Sequence, residues 1–151
     1  MRKKILVFIV TYQSSFRIVT VLNKIKKINK RRDDFRILIS DDCSTDDTIA
    51  YINKIKFPKK IKVILNKKNL GYGANIKRCL NYALKKKFDY AIMIHGDDQY
   101  DAKYIPNIVR KLKEQNVHAV TGSRMLNKSG AIEGGMPIYK FIGNIVLTKI
   151  F

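Results

Sequence analysis

Acid is scarce in this chain. Against 31 lysines and arginines stand 12 aspartates and glutamates, a formal charge of +19 over 151 residues. That balance favours anionic partners, whether nucleic acid, an anionic membrane surface or a phosphorylated small molecule. Cysteine is scarcer still. Cys43 and Cys79 have no C-x-x-C pairing and no histidines at zinc-ligand spacing, so neither a disulfide framework nor a structural zinc site is indicated and a reducing cytoplasm is the default compartment. Long apolar runs are absent as well. The basic start MRKK followed by Ile5 to Val10 imitates a signal peptide, but no small-residue cleavage site follows and a span requires roughly 18 to 20 apolar residues. No repeat, low-complexity tract or Pro/Gly/Ser linker divides the chain before about Leu126, so one domain is expected, long enough to bury roughly 70% of its unfolded surface.

What is present alternates. Short β-branched runs at 4–10 (KILVFIV), 35–40 (FRILIS), 61–65 (IKVIL), 90–95 (YAIMIH) and 118–123 (HAVTGS) read as strands buried on both faces. Between them Ile18, Leu22, Ile25 and Ile28, then Ile76, Leu80 and Leu84, then Ile105, Ile108 or Val109, and Leu112 recur at helical spacing. Strand and helix in repeated alternation predict an α/β domain with a mostly parallel sheet flanked by helices. Ser44 or Thr45 is placed to cap a helix from about Asp46, Asp98 or Asp101 one near Tyr104, and the glycine turn in NLGYGAN (69–75) opens the third helix. The division expected is a core over 1–126, then a loop and an amphipathic helix over 127–151.

The few acids are concentrated. SDDCSTDDT carries Asp41, Asp42, Asp46 and Asp47, and HGDDQYD carries Asp97, Asp98 and Asp101, so seven of the twelve lie in two short loops. Both loops follow predicted strands, and ligands of open parallel sheets bind outside the strands' carboxyl ends, so both should face one cleft. Some of these aspartates, Asp46 and Asp101 first, suit capping and turn formation instead. Clustered carboxylates repel unless a cation sits between them. Mg²⁺ or Mn²⁺, with a phosphate-bearing substrate completing its shell, is the natural occupant.

Five stretches in order resemble one family. VTYQ (10–13) is similar to a first-strand PTYN, SDDCSTDDT to VDDGSTDGT, NLGYGANIKRCL to NxGxgxAxxxG, HGDDQYD to the metal motif DADGQHDP, and TGSRM (121–125) to GSRY. These are motifs of the inverting family 2 glycosyltransferases with the GT-A fold, a Rossmann-like three-layer nucleotide-diphospho-sugar transferase fold, and in particular of their polyprenyl-phosphate, dolichol-phosphate mannose synthase-like branch. The resemblance implies that Thr11 and Tyr12, with Asp42 or alternatively Asp41, contact the nucleotide. Gly71 would stand beside it, although Gly71 and Gly73 alone lack the third glycine of a dinucleotide fingerprint. It implies further that Asp97 binds the metal with Gln99 completing its surroundings, and that Arg124 lies near the donor diphosphate and the acceptor phosphate. The chain departs from the pattern twice: His95 stands where the first aspartate of the metal motif is usual, with Asp98 as a possible substitute, and Cys43 replaces a glycine.

The implied reaction is an in-line displacement at the sugar's anomeric carbon, with Mg²⁺ or Mn²⁺ as cofactor. A hydroxyl acceptor would need a general base, yet the last acid is Glu133. A polyprenyl phosphate, already an anion, needs none; a cell-surface glycan is the alternative acceptor. PIYKFIGNIVLTKIF (137–151) resembles the branch's membrane-interface helix, which predicts peripheral contact with an anionic membrane at its cytoplasmic face and a chain that stops short of a usual catalytic domain, whether an active enzyme or a nucleotide-binding remnant. Nucleic acid is not expected, since no helix-turn-helix or RNA-recognition signature is present.

Overall fold

The computed structural model describes residues 3–29, 35–56, 61–114, 117–123, 132 and 136–150. Contacts divide the chain into two units, Met1–Val109 and Arg110–Phe151. The first unit contains the sheet. Strands β1 (Ile5–Thr11), β2 (Phe35–Asp41), β3 (Ile61–Leu65) and β4 (Tyr90–His95) lie in the order β3-β2-β1-β4, and every pair is parallel. The helices that connect them are α1 (Arg17–Asn29), α2 (Thr48–Lys54) and α3 (Tyr72–Lys85), followed by a 3₁₀ turn at Ala102–Tyr104 and α4 (Ile105–Glu114).

Alternation along the strands makes two cores. Ile5, Val7 and Ile9 with Ile37 and Ile39 pack against Ile18, Val21, Leu22 and Ile25 of α1, Ile52 of α2, and Ala102, Ile105 and Val109. Leu6, Phe8, Val10 and Leu38 face the other way, onto Cys79 and Ala83 of α3. Each fully buried aliphatic or aromatic side chain contributes about 1.5 to 3 kcal/mol, so the doubly buried β1 and β2 anchor the domain. The other two strands correct the expectation of burial on both faces. Every described position of edge strand β3 is at least partly exposed, and β4 buries only Ile92 and Ile94.

Three further expectations are corrected. Helix α3 buries Asn75, Cys79 and Ala83, whereas Leu80 and Leu84 are 41% and 74% exposed. Small side chains at four-residue spacing let the helix approach the sheet closely, so the leucines one position over face outward, while Ile76 of the same stripe stays partly buried against the Leu6 and Phe8 face. Helix α2 begins at Thr48 after Asp47, which makes no side-chain cap bond; the hydroxyls of Ser44 and Thr45 are instead engaged with the loop after β1. The fifth strand expected at 118–123 does not form among the described residues, which are largely exposed there; a β-branched run remains irregular without a neighbour to complete its ladder. In the second unit, PIYKFIGNIVLTKIF does form a helix, α5 (Ile138–Ile150).

Candidate functional site

The chain runs β1, β2, β3 outward in one direction and then returns through α3 to place β4 on the far side of β1. This reversal opens a crevice at the carboxyl ends of β1 and β4, the position at which open parallel sheets bind ligands. A cleft of about 340 Å³ is found there, lined by Val10, Thr11, Tyr12 and Ser14 from the end of β1, Asp42 beyond β2, Asn69, Gly71, Tyr72 and Asn75 at the start of α3, and His95, Gly96 and Asp97 beyond β4. The ladder continues past the strand ends and fixes these loops. Asp42 N–H donates to Thr11 O, Asn66 N–H to Asp41 O, and Gly96 N–H to Val10 O, each at 2.9 Å.

The acids after β2 are occupied by the protein itself. Asp41 accepts from the Ser44 N–H and hydroxyl and does not line the cleft. Asp42 is 3% exposed; Oδ1 accepts from Asn66 Nδ2 and Leu70 N–H, and Oδ2 from Gly71 N–H, all at 2.8 Å. It thereby ties the 66–71 segment over the cleft and sets Gly71 at φ +84°, a left-handed conformation natural to glycine. Asp46 accepts from Ser15 N–H and hydroxyl and from Thr48 N–H and hydroxyl. Burial pushes its carboxyl up, but those hydrogen bonds outweigh it and hold it below the usual carboxylate value.

The acids after β4 divide differently. Asp98, at φ +62°, turns both oxygens to Lys24 Nζ at 3.0 and 2.9 Å, and that bond raises the lysine's pKa. Asp101 caps the 3₁₀ turn through Lys103 N–H and pairs with Lys24 and Lys103. Among the described residues Asp97 is left with a single bond, from Gln99 N–H to Oδ1 at 3.1 Å. Gln99, expected to complete a metal's surroundings, holds Asp97 through its backbone N–H. Two residues before Asp97, His95 Nε2 lies 2.9 Å from the Tyr72 hydroxyl, and the imidazole stands edge-on to the rings of Tyr72 and Tyr100 at 5.4 and 4.7 Å between centroids. Burial, then Tyr100 and Asp97, push the Tyr72 phenol up, so it is a neutral hydroxyl at neutral pH.

Two features of the cleft bear on what it could hold. The Thr11 hydroxyl, in a residue 3% exposed, has no hydrogen-bond partner among the described residues, and an orphan buried polar group is uncommon enough to mark the spot. It also presses on Gly96, where any Cβ would lie 2.5 Å from Thr11 Oγ1 and 2.7 Å from its Cβ. Secondly, the described lining holds two carboxylates and no lysine or arginine. Arg124, expected near the phosphates, lies outside the described residues. No group of three or more His, Cys, Asp and Glu gathers as a metal cage among the described residues. The donors present, the Asp97 carboxylate and the His95 imidazole, fit an open site whose remaining positions are filled by anionic ligand oxygens.

Sequence reasoning placed Thr11, Tyr12, Asp42, Gly71, His95 and Asp97 near one another, and all six line this cleft. Ser14, Asn69, Tyr72, Asn75 and Gly96 were missed. Only Asn75 left a signal, as a polar residue in register with Cys79 and Ala83; it bridges α3 to β2 through the Ser40 hydroxyl at 2.6 Å and the Ser40 carbonyl at 3.0 Å.

An open parallel sheet with an acid-lined crevice at its switch point is the architecture of a ligand-binding α/β domain. The chain belongs to glycosyl transferase family 2, whose profile matches residues 6–145. It is 35% identical over 136 residues to an uncharacterized protein of Methanocaldococcus jannaschii, covering 86% of this chain and 56% of that protein. It is 27% identical over 114 residues to the poly(ribitol-phosphate) β-N-acetylglucosaminyltransferase TarS of Staphylococcus aureus, covering 75% and 19%. In fold it is similar to the mannosyltransferase PcManGT of Pyrobaculum calidifontis, solved with GDP-Man and Mn²⁺, at a TM-score of 0.68 with 18% identity over 83% of this chain and 37% of that one. The crystal structure of TarS gives a TM-score of 0.57 with 23% identity over 80% and 23%. The chain thus spans about half of the first relative and less of the others.

Proposed function

We propose that this chain moves a sugar from a UDP- or GDP-linked donor to polyprenyl phosphate, with inversion at the anomeric carbon. The observation that carries the reading is the cleft at the β1/β4 switch point, with its orphan Thr11 hydroxyl and its two carboxylates. A diphosphate does not settle beside Asp42 and Asp97 without a cation between them, and the relative solved with GDP-Man carries Mn²⁺. In this reading Asp97 and His95 hold Mg²⁺ or Mn²⁺, which when bound offsets the charge that develops on the departing diphosphate. Gln99 orients Asp97 through its N–H. Thr11 and Tyr12 contact the nucleoside, while Asp42 shapes the pocket for it by latching the Leu70 and Gly71 amides. Arg124 neutralises donor diphosphate or acceptor phosphate.

An acceptor phosphate oxygen attacks the anomeric carbon as the bond to the diphosphate oxygen breaks. No proton has to be removed, which suits a site whose other acids are held by protein donors. The division into a nucleotide-sugar core over 1–126 and a loop with an interface helix over 127–151 belongs to this proposal. Ile138, Tyr139, Ile142, Val146, Leu147 and Ile150 of α5 are each more than half exposed, which supports a place at the cytoplasmic membrane interface; no helix among the described residues is long and apolar enough to cross a membrane. A cell-surface glycan is the second acceptor, favoured by the likeness to TarS. The test incubates the chain with UDP- and GDP-sugars, Mn²⁺ and anionic vesicles containing polyprenyl phosphate. A lipid-linked sugar detected by mass spectrometry is the expected outcome; donor consumption only on adding poly(ribitol phosphate) would move the acceptor to the glycan.

A further inference from the structure

The departure at His95 carries a consequence for which ion the site accepts. Its ring is fixed on three sides, by the 2.9 Å contact between Nε2 and the Tyr72 hydroxyl and by the edge-on rings of Tyr72 and Tyr100. Nε2 is therefore committed, and among the described residues Nδ1 has no hydrogen-bond partner. A ligating histidine characteristically donates its second ring N–H to an oxygen that fixes tautomer and orientation. The Tyr72 hydroxyl oxygen, 2.9 Å from Nε2, is placed to be that oxygen. With Nε2–H donated to Tyr72, the lone pair rests on Nδ1, in a residue that lines the same cleft as Asp97.

We propose, resting on the nucleotide-binding reading above, that His95 Nδ1 and Asp97 form a mixed nitrogen and oxygen donor pair that selects a first-row transition ion over Mg²⁺, with Tyr72 as its positioning residue. Mg²⁺ is hard, dehydrates reluctantly and is usually held through one or two carboxylates and substrate phosphates. Replacing one carboxylate by an imidazole removes a charged oxygen that Mg²⁺ needs and supplies a nitrogen that transition ions accept, increasingly from Mn²⁺ to Co²⁺. The other nearby acid does not restore an all-oxygen pair, because both oxygens of Asp98 are taken by Lys24. The same substitution lowers the negative charge of the protein's half of the site, leaving more of the compensation to the nucleotide's own phosphates.

The test has a readout apart from turnover. The 151-residue chain is loaded with Mn²⁺ and UDP or GDP, whichever binds, and examined by electron spin echo envelope modulation. A ¹⁴N modulation is expected that changes character on ¹⁵N-histidine labelling. The chain has two histidines, so the modulation should persist in His118→Gln and vanish in His95→Asp. Calorimetry on the same samples should rank nucleotide affinity Co²⁺, then Mn²⁺, then Mg²⁺, with Mn²⁺ over Mg²⁺ by about tenfold. His95→Asp should bring Mg²⁺ level, and Tyr72→Phe should weaken the Mn²⁺-dependent affinity by about tenfold. Nucleotide binding with Mn²⁺ that shows no histidine nitrogen, or equal affinities with Mg²⁺ and Mn²⁺, overturns the donor pair and leaves the nucleotide site standing. No nucleotide binding with any ion overturns both.

Discussion

The two acid-bearing loops look alike in sequence and differ in what their oxygens do. Beyond β2, Asp41, Asp42 and Asp46 are saturated by amide, hydroxyl and carboxamide donors of the protein. Beyond β4, Lys24 and Lys103 take Asp98 and Asp101, and only Asp97 faces the cleft with one backbone bond. Density of acid therefore marks the neighbourhood of the site, and spare lone pairs mark the ligand. One loop is architecture that shapes a pocket; the other, in the function proposed above, presents a carboxylate to what enters it.

Substitutions should separate the two loops. Asp42→Ala leaves the Leu70 amide without its acceptor and Gly71 N–H and Asn66 Nδ2 with only their second acceptors, Asn69 Oδ1 at 2.8 Å and Asn75 Oδ1 at 3.4 Å, and is expected to destabilise the fold by about 2 kcal/mol, read as a lower urea midpoint. A loss below about 1 kcal/mol would remove Asp42 from the architecture. Gly96→Ala forces Thr11 and the β4 end apart, since the clash involves the Thr11 Cβ as well as its hydroxyl; about 2 kcal/mol is expected, together with weakened ligand binding at Asp97. The Asp46 carboxyl is held below its usual value by Ser15 and Thr48. Its share of stability is thus present above the ordinary carboxylate pKa of about 4 and lost as pH falls through it towards the lowered value. Asp46→Asn should flatten that part of the stability profile as pH falls below the ordinary carboxylate value; an unchanged acid limb would contradict it. The smallest effect is expected at Cys43, at φ +66°, where Cys43→Gly should relieve left-handed strain and raise stability by about 0.5 kcal/mol net of glycine's own entropy.

Much of this molecule was legible from its chain. β1 and β2 announce themselves because a strand buried on both faces admits little but β-branched and aromatic residues, and the alternation with helices prescribes a parallel sheet. What failed did so where two readings of one pattern differ only by a neighbour. Ile76, Leu80 and Leu84 are as periodic as Asn75, Cys79 and Ala83, and only the close approach of α3 to Leu38 and Ser40 decides between them. The run at 118–123 has strand composition, but composition does not supply a partner strand. At the site, Asp42 and Asp97 follow from position at strand ends. The Tyr72 to His95 contact joins residues 23 apart and the three donors to Asp42 come from the 66–71 segment, 24 to 29 residues on, so neither leaves a local pattern.

The most direct test of the account is calorimetric titration of UDP and GDP into the 151-residue chain, with and without Mn²⁺, beside Asp97→Ala and Asp101→Ala. Asp97 sits in a loop and bears little of the fold's stability, so Asp97→Ala should match the parent chain to within about 0.5 kcal/mol, while loss of the Asp101 cap should cost Asp101→Ala about 1 kcal/mol. The account predicts Mn²⁺-dependent binding of one nucleotide that falls at least about tenfold in Asp97→Ala and is retained in Asp101→Ala. Metal-dependent affinity unaltered by the loss of Asp97 would contradict the central claim that this carboxylate, and not its neighbours, is the one offered to the ligand.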